Sequence, residues 1–175
     1  MTKLLGISGS LRAGSFNTLL VKEAARVFGD CDFTLADLNL PLFNQDLEAE
    51  GQPAPVAKLC EQILAADAIV VSTPEYNKAP SGVLKNALDW VSRPRPAPMV
   101  GKPVAVVSAT AGLAGGERSK SAMYLMLVPF HVRLVFQPEV HIGTAHKAFT
   151  EEGQLADQAK ADALTALMAA LRAEV

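Results

Sequence analysis

The chain has 175 residues, half of them hydrophobic, with 16 basic and 18 acidic side chains and a formal net charge of −2. That length fits one domain covering residues 1–175, with a core large enough to stand without disulfides or metals. The near-neutral balance argues against a dedicated nucleic-acid binder and a polybasic membrane-surface module, and 19% charged residues is too few for a disordered chain.

No window reaches the roughly 20 apolar residues of a membrane span. Met1–Ile7 is too short for a signal-peptide core. Cys31 and Cys60 lack CxxC or metal spacing and read as reduced core residues of a cytoplasmic protein.

Along the chain, strand and helix patterns alternate. Leu4–Ser8 is a short apolar run that stops at Gly9-Ser10, as a buried strand does. Leu20, Ala24, Val27 and Phe28 recur at helical spacing over 17–28. Phe33–Leu38 reads as a second strand, and Asn39–Pro55, rich in Pro, Asn and acidic residues, as irregular. Val56, Leu59, Cys60, Ile63 and Leu64 form a helical stripe.

Ala68–Ser72 is apolar without alternation, which suits a central parallel strand covered on both faces. A helix follows over Val83–Val91, then an extended Pro-rich connector over Arg93–Pro98, then a strand over Pro103–Ser108. The loop Gly112–Gly116 precedes a helix that ends before Pro129. Val132–Phe136 reads as the last strand, continued after Pro138 by Val140–Ile142, and Leu164, Leu167, Met168 and Leu171 mark a closing helix. Five strands alternating with five helices predict an α/β three-layer sandwich, a five-stranded parallel sheet with helices on both faces in flavodoxin-like order.

In such sheets ligands bind beyond the carboxyl ends of the strands. The first loop, residues 9–17, reads GSLRAGSFN and opens a helix. Small residues admit an anion to the backbone, the helix start supplies N–H groups and a favourable dipole, and Arg12 adds a charge. It is neither a P-loop nor a GxGxxG fingerprint, and an ordinary capped helix start has the same look.

The second loop, residues 72–80, reads STPEYNKAP and offers a rigid turn and an aromatic ring to a flat heterocycle, or merely a Pro-Asn turn. The third, residues 108–116, is again small and polar. His131, His141 and His146 have no ligand-spaced partners and read as ordinary polar residues; Glu75 reads as a solvated carboxylate, and Arg93 and Arg95 as solvated connector charges.

Taken together, GSLRAGSFN, TPEYN with the downstream GVLKNALDWVSRP, and GKPVAVVSATAGLAGGER resemble the NADPH-dependent FMN reductase family of bacterial quinone, chromate and azo-dye reductases, over about two thirds of the chain. The resemblance implies noncovalent FMN on a flavodoxin-like fold. It implies that Ser10, Arg12, Ser15, Phe16 and Asn17, with Leu11 and Gly14 in the same loop, cradle the phosphate and ribityl end. Pro74, Glu75, Tyr76 and Asn77 would lie along the isoalloxazine, with Thr110 and Gly112 in the third loop.

It further implies that NADPH or NADH gives a hydride to the flavin, which a quinone-like or other small acceptor (chromate, azo or nitro compounds) then takes. A homodimer is implied as well. A tetramer is less secure, because Arg118 and Glu139 match two of three family contact positions while Ser121 replaces the third, a Tyr. The loop after Asn77 also departs from the family's Ser-Ile-Pro-Gly, reading Ala79-Pro80-Ser81-Gly82. Two other readings stay open: a flavodoxin-like electron-transfer protein, and a flavin reductase that releases reduced FMN. The low net charge speaks against the first, since such carriers present strongly acidic faces.

Overall fold

A computed structural model describes residues 1–175. Its strands are β1 (Lys3–Ser8), β2 (Asp32–Leu35), β3 (Ala68–Thr73), β4 (Pro103–Ala109), β5 (Arg133–Val135) and β6 (His141–Ile142). Its helices are α1 (Phe16–Phe28), α2 (Gln45–Ala49), α3 (Ala54–Ala65), α4 (Gly82–Val91), α5 (Glu117–Leu127) and α6 (Gln158–Arg172). The sheet runs β2-β1-β3-β4-β5, all parallel, and β6 also pairs with β4. This is the flavodoxin-like order the alternation predicts.

The central strands are buried along almost their whole length because both faces carry helices. Leu5, Ile7, Ile69, Val71, Val104 and Val106 face one core layer, with α3, α4 and α5. Leu4, Ala68, Val70, Ala105 and Val107 face the other, with α1 and α6. Each strand thus contributes alternate residues to two layers, which is why these segments read as continuous apolar runs.

Three expectations need correction. The second strand stops at Leu35 rather than Leu38, and Ala36 and Leu38 instead turn inward as buried loop residues. The stretch read as irregular contains α2, started by Asn44, whose side chain accepts from the Asp46 N–H at 2.9 Å. The stretch is clamped by α4: Asn86 and Trp90 both donate to the Pro41 carbonyl, at 3.0 and 2.8 Å. Cys31 is only half-buried, whereas Cys60 is buried as expected; both are free thiols, and burial pushes both up in pKa. The last strand comes in two pieces on either side of Pro138, as expected: β5 pairs with the start of β4 and β6 with its end.

Candidate active site at the carboxyl edge of the sheet

The strand order reverses between β1 and β3, and the loops that follow β1, β3 and β4 meet there. They line one cleft of about 180 Å³, which brings together Ser10, Arg12, Ser15, Phe16, Asn17, Pro74, Glu75, Tyr76 and Thr110. Ala109 and Ala111 also line it, beside Thr110, and no chemical signal in the sequence marks them out. Leu11, Gly14, Asn77 and Gly112 belong to the same loops but are not part of its wall.

The first loop is pinned before it turns. Gly9 N–H donates to the Ser72 carbonyl at 2.8 Å, and the Ser81 hydroxyl donates to the Gly9 carbonyl at 2.6 Å. A side chain at Gly9 would place Cβ 2.5 Å from Leu84 Cδ1 and 2.8 Å from Pro74 Cδ, so only glycine lets the two loops close on each other. Ser15 then caps α1, its hydroxyl accepting from the Thr18 N–H at 3.2 Å. The N–H groups of Phe16 and Asn17 remain without a partner in the chain. Together with the helix dipole and the exposed, unpaired Arg12 guanidinium, they give the cleft an end whose donors and charge suit an anion.

Asn17 has a second task that its place in the motif does not disclose. Its side chain is buried, accepts from the Ser72 hydroxyl at 2.8 Å and the Ala109 N–H at 3.2 Å, and donates to the Ala109 carbonyl at 3.0 Å. The side-chain oxygen is thereby saturated. The residue is a strut across the ends of β3 and β4, and its backbone N–H is the group left facing the cleft.

The second loop forms a tight turn. Tyr76 and Ala79 exchange both backbone hydrogen bonds, at 3.0 and 3.1 Å, with Asn77 at φ 52° and Lys78 at φ 67°. Left-handed dihedrals at both central positions make this a type I′ turn, which Asn tolerates and Lys does not favour. It leaves the Tyr76 ring half-exposed at the cleft. Glu75 is not simply solvated: its carboxylate accepts from the Ser119 N–H at 3.2 Å, capping the first turn of α5. That bond ties the second loop to the helix that follows the third.

The third loop rests on the segment after β6. Thr110 N–H donates to the Ile142 carbonyl and Thr144 N–H to the Gly112 carbonyl, at 2.9 and 3.2 Å. The Ser108 hydroxyl donates to the Gly115 carbonyl at 2.7 Å and lies 3.3 Å from His141 Nδ1. Behind it lies a polar cluster. The His141 hydrogen bond, then the Lys120 charge, holds the Glu139 carboxyl below the usual carboxylate range. Burial pushes Lys120 down and Tyr124 up to about 12. The Lys120 ammonium and the Tyr124 hydroxyl are buried without hydrogen-bond partners. Neither residue lines the cleft, and no cluster of side chains suited to a metal occurs.

A polar cleft with spare N–H donors, one cation and an aromatic wall, and with no nucleophile–base pair, suits a bound redox cofactor better than acid–base chemistry by the chain itself. Comparison with known proteins agrees. A family model described as NADPH-dependent FMN reductase matches residues 2–147, which takes in all three loops. An NAD(P)H-dependent FMN reductase of Pseudomonas aeruginosa is 46% identical over 157 residues, covering 89% of this chain and 85% of that protein.

A quinone reductase of Escherichia coli is 34% identical over 173 residues, covering 96% and 92%. Among solved structures, the flavoenzyme FerB of Paracoccus denitrificans, an NAD(P)H:(acceptor) oxidoreductase, superposes with a TM-score of 0.90 at 30% identity, covering 99% of this chain and 96% of that one. The chain is therefore a flavoprotein oxidoreductase that works with FMN and NAD(P)H, and it belongs to the NADPH-dependent FMN reductase family.

Proposed function

We propose that residues 1–175 act as one FMN-binding domain, passing electrons from NAD(P)H to quinone-like small acceptors, with chromate, azo and nitro compounds as further substrates of the same open site. The observation that carries this reading is the pair of unpartnered N–H groups at Phe16 and Asn17, set beside Arg12 at one end of the three-loop cleft. They fit a phosphate. When bound, FMN supplies the chemistry: it accepts a hydride from the nucleotide and returns two electrons to the acceptor.

The chain's own part is placement. Ser10, Arg12, Ser15 and the first turn of α1 hold the phosphate and ribityl end, with Leu11 and Gly14 shaping that loop. Pro74, Glu75 and Tyr76 set the wall along the ring system and Thr110 closes the far side, with Asn77 and Gly112 shaping their loops from outside the wall. The hydrogen bonds of Asn17 and Glu75 keep the three loops at a fixed separation, so the pocket is formed before the cofactor arrives. The half-exposed Tyr76 leaves one side open, where donor and acceptor take turns.

The reading includes a homodimer. Leu125 and Val128 are 76% and 65% exposed at the end of α5, and the half-exposed Phe136 packs edge-on against Tyr124 of the same helix; a second copy would cover these apolar groups. It also places the protein in the cytoplasm, in keeping with two free thiols; no helix is long and apolar enough to cross a membrane.

The test is the anaerobic visible spectrum of the FMN-loaded protein before and after NADPH or NADH. Bleaching of the flavin bands by either nucleotide, and their return on adding a quinone, is expected. Flavin that neither nucleotide reduces would move the protein to the electron-carrier class, and flavin lost during turnover would make it a reductase that releases reduced FMN.

A further inference from the structure

Two cations occur on the three cleft loops, Arg12 on the first and Lys78 on the second. The one acid on those loops, Glu75, is engaged with the Ser119 N–H. Lys78 is exposed and takes part in none of the chain's hydrogen bonds or ion pairs through its ammonium, whereas Lys85 pairs with Asp89, Arg93 with Glu48, and Arg95 turns back onto three backbone carbonyls. Its backbone is also strained. At φ 67° in the second central position of a type I′ turn, glycine would sit without penalty and a long side chain does not.

Strain of this kind gathers around the cleft. Of the four non-glycine residues with positive φ, Asn77 and Lys78 form the tip of the second loop, and Thr144 holds the third. What sets Lys78 apart from the other unpaired lysines is its place, at the tip of a cleft loop two residues beyond a wall residue.

Resting on the reading above, the site takes two anionic ligands in one reaction. The FMN phosphate has Arg12 and the start of α1; the nicotinamide nucleotide brings phosphates of its own. We propose that Lys78 is the contact for the phosphate groups of the nicotinamide donor, and so a determinant of donor affinity rather than of flavin binding. Lys78 is exposed on the loop that supplies one wall of the cleft, two residues beyond Tyr76. It acts as a point charge with three donors, which suits either the bridging diphosphate or a ribose phosphate.

Steady-state kinetics of the FMN-loaded enzyme with Lys78→Met, Lys78→Arg and Lys78→Gly, using NADPH and NADH in turn, tests this. In Lys78→Met the donor KM is expected to rise about three- to tenfold, the size of an exposed charge-assisted contact, with less salt dependence than the parent enzyme. Lys78→Arg should restore it. Lys78→Gly should share the raised KM yet melt at a higher temperature, which separates the lost charge from the relieved turn.

A rise for both nucleotides identifies the diphosphate, and a rise for NADPH alone the ribose phosphate. A donor KM unchanged in Lys78→Met, or FMN affinity lost in place of donor affinity, would overturn the assignment. If the parent enzyme itself oxidises neither nucleotide, the functional reading has failed and this inference falls with it.

Discussion

The two ends of the sheet each carry a cleft, about 180 Å³ at the carboxyl ends of the strands and about 150 Å³ at the amino ends. Volume does not tell them apart; what becomes of the polar groups does. At the amino end, Lys3 N–H donates to the Asp67 carboxylate at 2.8 Å and Asp67 N–H returns a bond to the Lys3 carbonyl at 2.9 Å. The Lys102 ammonium donates to the carbonyls of Leu64 and Ala66, at 2.8 and 2.6 Å, closing the end of α3. There the backbone groups beside the cleft serve the fold, while the polar side chains that line it, Lys3, Asp32, Thr34 and Gln62, are simply solvated.

At the carboxyl end two N–H groups and two cations have no partner, and the backbone bends into left-handed conformations to shape the rim. The lesson is that this binding site shows itself by backbone donors the fold leaves unused, beside a cation. Ligand-free stability should therefore depend on the satisfied groups, and ligand affinity on the unsatisfied ones.

The largest effect is expected from Asn17→Ala, which belongs to both classes. Removing the strut leaves the Ser72 hydroxyl and the Ala109 N–H and carbonyl without their partner, and should cost about 3 kcal/mol of stability in urea denaturation of the apoprotein. FMN affinity should fall as well, because the loops lose their spacing. Arg12→Ala should divide the two classes. FMN binding weakens about 10- to 100-fold, as for a lost charge-assisted phosphate contact, while apoprotein melting stays where it was. Equal FMN affinity in that variant would remove Arg12 from the phosphate site.

Lys102→Met is the counterpart at the other end of the sheet. A loss of about 1 kcal/mol in stability is expected for two carbonyl bonds, with FMN affinity untouched; a weakened flavin complex would break the division between the ends. The smallest effect belongs to Lys120→Met. The buried ammonium has no hydrogen-bond partner and its pKa is pushed down by burial, so the folded state holds the charge at a cost.

That cost is fully present below the lowered pKa, fades as pH rises from there to the ordinary lysine value of about 10.4, and is gone above it. The variant should accordingly melt higher than the parent at neutral pH, and the gap should close in alkaline buffer. A gap that widens with pH would contradict the burial argument.

Much of the fold could be read locally. β1, β3 and β4 are covered on both faces, so their apolar runs carry the assignment alone, and Ser15 and Gly9 mark the first helix start in the sequence. What stayed hidden depended on partners distant in the chain. Nothing near Asn17 announces Ser72 or Ala109, which are 55 and 92 residues away, and nothing near Glu75 announces the Ser119 amide 44 residues on.

The clamp on residues 39–49 was invisible for the same reason, since its donors, Asn86 and Trp90, lie on α4. The second strand ends before Leu38 because that residue is buried without pairing to β1, although the Ala36 N–H still donates to the Gly6 carbonyl at 2.9 Å, and hydrophobicity alone does not separate burial from pairing.

The central claim is that the start of α1 holds a phosphate. Titrating the apoprotein with FMN and, separately, with riboflavin tests it most directly, because the two ligands share the ring system and the ribityl chain and differ only in that group. The account predicts that FMN binds at least ~100-fold more tightly, as expected when a dianion meets two free N–H groups and Arg12. Equal affinities would mean that the unpartnered donors of Phe16 and Asn17 serve no phosphate.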